Sequence, residues 1–261
     1  MRGFAPALWC EILKIRRSRV LPGTIAAFAL APIMGSLFVI VLSNPDLAEA
    51  NNALQAKAAL TGFSPDWPSF LNMIAQATGI GGLIIFGFAA SWIFGREYSD
   101  GTAKDLFVLP ISRSTIVAAK MTAMVLWCTG LTLFVFLFSL LMGLLLQLPG
   151  WSLQVCWVAV GEVAVTSLLA IVLCPPVAFI ASIGRGYLAP LGFVVLSVVL
   201  AQIVGALGFG TYFPWAVPAI FSKAGGIDAV LNFLSYFLVV LTGIAGLVAT
   251  VLWWNHADHT A

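Results

Sequence analysis

The densest group of ionisable side chains in this 261-residue sequence lies between Gly95 and Arg113, where Arg96, Glu97, Asp100, Lys104, Asp105 and Arg113 interleave acid and base. Leu106, Phe107 and Leu109 sit among them. An apolar anchor flanked by charges, outside a membrane, is what a docking element must present. Asp100-Gly101 supplies a turn. Thr102 followed three residues later by Asp105 is a capping pair, so a short amphipathic helix is predicted to start there. Pro110 ends it, and Ser112 is placed to cap the long helix that follows. The other reading of this segment is a solvated, capped loop.

Few other residues suggest chemistry. Glu162 is the only acidic residue well inside an apolar run. An ionisable group at membrane depth is a functional candidate because burying it unpaired is costly; it either lines a substrate path or pairs with a neighbouring helix. Pro175-Pro176 removes two donors from one helical ladder, which predicts a break or kink and a place where a pathway or a packing bend forms. His256 and His259 lie beside Asp258 in the tail, where a frayed terminus is the expected state. The four cysteines form no CxxC pair, and they read as small core residues rather than a disulfide or metal set. No GxxxxGK[ST], HExxH or GxSxG occurs, so ATP binding of the phosphate-loop kind is not expected in this chain.

The elements that hold these residues follow from composition. The sequence is 61% apolar and 8% charged, against about 25% charged in soluble domains, so most of its surface is expected to face lipid. A span needs about 20 apolar residues. Six segments qualify, at about Leu21–Leu42, Asn72–Phe94, Ile116–Leu146, Leu153–Ile183, Tyr187–Leu207 and Val230–Trp254. The fold class is therefore an all-α membrane protein of six transmembrane helices.

Ten of the twelve basic residues fall on one side of this topology, among them Lys14, Arg16, Arg17, Arg19, Arg96, Lys104, Arg113, Lys120 and Arg185; only Lys57 and Lys223 fall on the other. By the positive-inside rule the first side is the cytoplasm, and both termini are expected there. The net charge of +2 is too small to suggest nucleic acid. Trp67, Trp151 and Trp215 on the outside, and Trp253-Trp254 on the inside, are expected to mark the headgroup regions.

Residues Ala5 to Arg19 read as an amphipathic interfacial helix. Leu8, Trp9, Ile12 and Ile15 form one face, and Glu11, Lys14, Arg17 and Ser18 the other. Such a helix lies in the leaflet plane with its basic residues near anionic lipid, and its polar face can also meet a cytoplasmic partner. The basic stretch is too long, and the apolar run after it too extended, for a cleaved signal peptide. Asn44-Pro45 signals a short external helix running to about Leu60, before Ser64–Pro68 turns the chain back. The segment from Gly208 to Gly226 is too apolar for a free loop and too short to cross. It is expected to re-enter the outer leaflet as short helices.

The inner loop resembles that of the permease subunits of type-2 ABC exporters, including the permeases of bacitracin- and lantibiotic-resistance pumps. The residues that match are Glu97, Gly101, Thr102, Leu106, Leu109, Pro110, Ser112, Arg113 and Lys120. The helix before the first span and the segment before the last also match. The resemblance implies one permease domain over 1–261, with the interfacial helix at 1–20, the six-helix bundle at 21–254 and a cytoplasmic tail at 255–261. It implies that the loop is a coupling helix docked in a groove of a separate ATPase, with Leu106, Phe107 and Leu109 inserted and Glu97 and Arg113 bracing it. Two permeases and two ATPases are implied, in the cell inner (plasma) membrane. ATP and magnesium would be bound by the partner, leaving no cofactor in this chain.

The implied function is export of a hydrophobic or amphipathic substrate such as a peptide antibiotic, lipid or drug. The alternative is an ion-gradient-driven secondary transporter, which usually carries several intramembrane charges and internal repeats; one glutamate and no repeat argue against it. Two permease copies are expected to meet through the first, second and fifth spans, where Gly79, Gly81 and Gly82 allow close approach.

Overall fold

The computed structural model describes residues 3–44, 56, 63–102, 111–224 and 230–256, which are mostly helical with no strand among them. A helix over Phe4–Arg17 (α1) precedes the first long helix, Val20–Ser43 (α2). Ser18 separates them: its backbone is extended, with ψ 152°, and its hydroxyl accepts from Leu21 N at 3.4 Å. The second and third long helices are Trp67–Ser99 (α3) and Arg113–Leu145 (α4). The fourth is divided into Leu153–Val172 (α5) and Cys174–Ile183 (α6), and Leu188–Ala206 (α7) follows. Two 3₁₀ turns, Gly210–Tyr212 and Pro214–Ala216, lead into a short helix, Val217–Phe221 (α8), before the last long helix, Phe233–His256 (α9). Six of these segments are long and apolar enough to span a membrane, the α5–α6 pair counting as one.

Helix starts follow the sequence chemistry. Ser112 Oγ accepts from Thr115 N at 3.2 Å, as its place before α4 predicts. Asp66 caps α3 by accepting from Ser69 N at 2.9 Å, and Ser152 caps α5 by accepting from Val155 N at 3.1 Å. Burial pushes the Asp66 carboxyl up, but hydrogen bonds from Ser64 and from the backbone and hydroxyl of Ser69 outweigh it. The group is held below the ordinary carboxylate range. The break expected at Pro175-Pro176 falls at Leu173, which bonds back only three residues, to Ala170 O at 3.2 Å.

The outward surface is apolar. Leu126, Leu133, Leu137, Leu141 and Leu144 run exposed along α4, the inverse of a soluble protein. At the centre stands α3, where Phe70, Ile74, Phe86, Ala89, Ala90 and Phe94 are buried against α2, α4, α5, α6 and α7. It is longer at both ends than the expected Asn72–Phe94. Hydropathy stops at the charges of Arg96 and Glu97, but the helix continues because Glu97 is paired inside the protein.

Two tryptophans expected in the headgroup belt belong to the core. Trp67 is 2% exposed and packs on Trp151 with centroids 4.6 Å apart. Trp254 is 1% exposed and donates from Nε1 to Ser182 Oγ at 2.9 Å. Each finds a polar or aromatic partner in the bundle, which satisfies its amphipathic ring without lipid. The segment before α9 is buried as well: Val217, Ala219 and Ile220 are core residues. A Cβ on Gly79 would strike Ser222 Oγ and Pro218 O, so Gly79 is occupied within the chain, whereas Gly81 faces open space. Gly82 is also buried among its own chain's side chains. Of the three glycines expected at a contact between copies, Gly81 alone is open. The external helix expected after Asn44 lies outside the described residues.

Candidate functional site

Four ionisable side chains from three helices converge at the end of the bundle where α3 and α4 meet the 100–112 loop. Lys120 of α4 donates to Glu97 Oε1 of α3 at 2.7 Å, to Glu11 Oε2 of α1 at 3.3 Å and to Ile93 O at 2.9 Å. Lys14 of α1 donates to Glu11 Oε1 at 2.7 Å and to the same Glu97 Oε1 at 2.9 Å. Two carboxylates and two ammonium groups cancel, which lets a charged cluster exist where Lys120 is 0%, Glu97 3% and Glu11 6% exposed. A lone buried charge would be prohibitively costly. The ring of Phe94 lies 5.8 Å from Lys120 Nζ and adds a cation–π contact.

Glu97 Oε2 is buried without a hydrogen-bond partner among the described residues. A cavity of about 560 Å³ borders the cluster between α1 and the root of the loop, touching Cys10, Glu11, Lys14, Glu97, Thr102 and Ile111. Burial alone pulls the Lys14 ammonium down, but the charges of Glu97 and Glu11 and their hydrogen bonds outweigh it, and its pKa lies above the ordinary lysine value. A lysine raised in this way contributes stability below its unfolded pKa and loses it as pH rises through the folded value. The α1 anchor therefore persists through neutral pH and weakens only in strong alkali.

These positions change the reading of the sequence. Glu11 and Lys14, expected on an outward polar face of the first helix, are turned toward the bundle, while Trp9 of the expected apolar face is 60% exposed. Arg17 is exposed. Lys120, counted from sequence among the cytoplasmic-side cations at the start of the third span, is a core residue. Neither periodicity nor hydropathy signalled this; the one available clue was a lysine two turns inside an apolar helix.

The loop is braced on both sides. Arg113 Nη1 donates to Trp254 O at 3.1 Å, tying the start of α4 to the end of α9. Arg96 pairs with Asp100 at 3.0 Å and stacks over Trp92 at 4.9 Å. Thr102 N donates to Glu97 O at 2.9 Å, and Gly101 takes φ 70°, a left-handed conformation that glycine accommodates. Leu106, Phe107, Leu109 and Pro110 lie outside the described residues.

The remaining candidates lie elsewhere. Glu162 is half-buried on α5 with no ion pair among the described residues, next to exposed Gly161. Pro175 and Pro176 lie in α6, and Pro176 packs against Gly246 of α9. The structure does not bring Glu162 and the prolines together with the ion cluster. His256 lies on the last turn of α9 with Nδ1 3.0 Å from Leu252 O.

Residues 7–202 match the family model described as ABC-2 family transporter protein. The chain is also similar to the bacitracin transport permease protein BCRB of Bacillus licheniformis, with 25% identity over 177 residues that cover 68% of this chain and 85% of that one. The matched region begins in α1 and runs into α7, so it takes in every member of the ion cluster and the whole 100–112 loop. With its six apolar helices the chain is a multi-pass membrane protein, and it belongs to the ABC-2 family as a permease, the membrane subunit of an ABC transporter.

Proposed function

We propose that this permease moves a hydrophobic or amphipathic substrate out of the cell, driven by ATP hydrolysis in a separate ATPase subunit docked on the 100–112 loop. The observation that carries this reading is the buried cluster at the root of that loop. Glu97 and Lys120 lock α3 to α4 at the loop's two ends, and Glu11 and Lys14 lock α1 to both. A force applied to the loop is then delivered to spanning helices rather than absorbed by a slack connection. Two permeases and two ATPases complete the assembly, and ATP and magnesium are bound by the partner.

The substrate class is a membrane-partitioning peptide antibiotic of the bacitracin kind, a lipid or a drug, in keeping with the name of the relative from Bacillus licheniformis. The burial of α8 against Gly79, twelve residues into α3 and so about 18 Å along it, supports a re-entrant segment there.

Coupling is tested by replacing Leu106 and Phe107 together with Asp. These side chains belong to the loop, so the change puts no charge in lipid, but it buries two carboxylates in an apolar groove. An interfacial anchor contributes about 2 kcal/mol or more, and unpaired buried charge adds to the loss. Association with the ATPase is expected to weaken at least about 30-fold, measured by co-purification at normal membrane abundance. A variant that still assembles and hydrolyses ATP normally in response to substrate would sink the assignment.

The charge count supports a cytoplasmic side for the basic end of the bundle and for both termini, in a chain of the plasma membrane. A cysteine at Lys223 is expected to react with an impermeant thiol reagent in intact cells, and one at Lys104 only after lysis. Labelling of the second from outside reverses the orientation.

A further inference from the structure

We propose that the groove enclosed by α1, the start of α2 and the middle of α4 holds one acyl chain of an anionic phospholipid whose phosphate is paired with Arg16. The groove has a volume of about 360 Å³ and is walled by Ile15, Ile25, Leu126, Gly130 and Phe134, with Arg16 as its one charged lining residue. That volume is at the lower end of ligand sites, which run about 300–1,000 Å³, and suits a single hydrocarbon chain rather than a whole transported molecule. Its lining passes from the end of α1 to the apolar stretches of α2 and α4. Arg16 closes the last turn of α1, while Ile25 and Phe134 lie deeper along α2 and α4, so a headgroup at the arginine leaves its chain pointing into the apolar region.

Charge selects the headgroup. The acids of α1 and α3 that could have neutralised the arginine are spent: Glu11 and Glu97 are taken by Lys14 and Lys120. Arg16 is exposed and has no ion pair among the described residues. A guanidinium at the mouth of an apolar slot matches a phosphate on a chain. Gly130 supplies the room, since a Cβ there would meet nothing within 4 Å.

The test is native mass spectrometry of the purified full-length chain in detergent, with phosphatidylglycerol and phosphatidylcholine of matched chains. One phosphatidylglycerol per chain is expected to be retained, preferred about fivefold over phosphatidylcholine, the effect of one arginine near the headgroup plane. Arg16→Gln should abolish that preference. Arg17→Gln, on a residue outside the groove, should keep it. Gly130→Phe should lower retention of both lipids at least about tenfold, because two methylenes excluded from the groove suffice for that. The proposal is overturned by equal retention of the two lipids in the unaltered chain, by equal effects of the two arginine changes, or by a folded Gly130→Phe variant that keeps its lipid. Arg16 is exposed and its replacement spares the fold, so the arginine comparison decides the matter even if Gly130→Phe fails to accumulate.

Discussion

Lys120→Met is expected to lower the stability of the purified permease by about 3–5 kcal/mol, the usual cost of removing one partner from a buried ion pair. The methionine fills nearly the same space, so the loss arises from charge and not from a cavity. Without Lys120, Glu97 and Glu11 face each other with Lys14 as their one remaining cation among the described residues, and Ile93 O loses a donor. Glu97→Gln should do comparable harm by leaving Lys120 and Lys14 to share Glu11 as their carboxylate among the described residues, which makes it a defect of folding as well as of coupling. The double variant Lys120→Met with Glu97→Gln restores neutrality, leaving Glu11 with Lys14, and should recover most of the loss. The measurement is a set of thermal melts arranged as a double-mutant cycle. If the two single losses simply add in the double variant, the cluster is not one electrostatic unit.

Gly246→Val should lower stability by about 3 kcal/mol or more, at or beyond the upper end of what overpacking costs. The buried stripe of α9 runs Val239, Gly243, Gly246, Thr250 and Trp254. At Gly246 any Cβ would collide with the nitrogen, Cδ and Cα of Pro176, and at Gly243 with the carbonyl of Val172. Backbone and a proline ring cannot swing aside as a flexible side-chain tip does, so α9 must move away from α5–α6. That would also strain the hydrogen bonds from Trp254 to Ser182 and from Arg113 to Trp254. Gly161→Val is the control, since its Cβ would meet nothing within 4 Å, and it should melt like the unaltered chain. Similar melting of the two variants would show that the α9 seam is not a close packing contact.

Where the hydrophobic signal is long, the sequence by itself determined the architecture. Each span is an apolar run whose backbone can be satisfied in lipid only by a helix, so length and composition suffice. Local chemistry was equally legible: Ser112 caps α4, and the double proline interrupts the fourth span. These features depend on residues within a turn of one another.

What the tertiary structure decided are the contacts between residues far apart in the chain. Lys14 meets Glu97 across 83 positions and Lys120 meets Glu11 across 109, and a periodicity argument carries no information about such pairs. In sequence, Glu11 and Lys14 read as the polar face of an interfacial helix and Lys120 as one of the cytoplasmic-side cations at the start of the third span. Only the convergence of α1, α3 and α4 shows that they neutralise one another and are therefore buried. The same holds for Trp254 and Gly246. Whether a tryptophan faces headgroups or a serine on another helix, and whether a glycine faces lipid or a proline ring, depends on which helix packs alongside. Hydropathy fixes that a helix crosses; the steric fit and charge balance between helices fix which of its faces is turned inward.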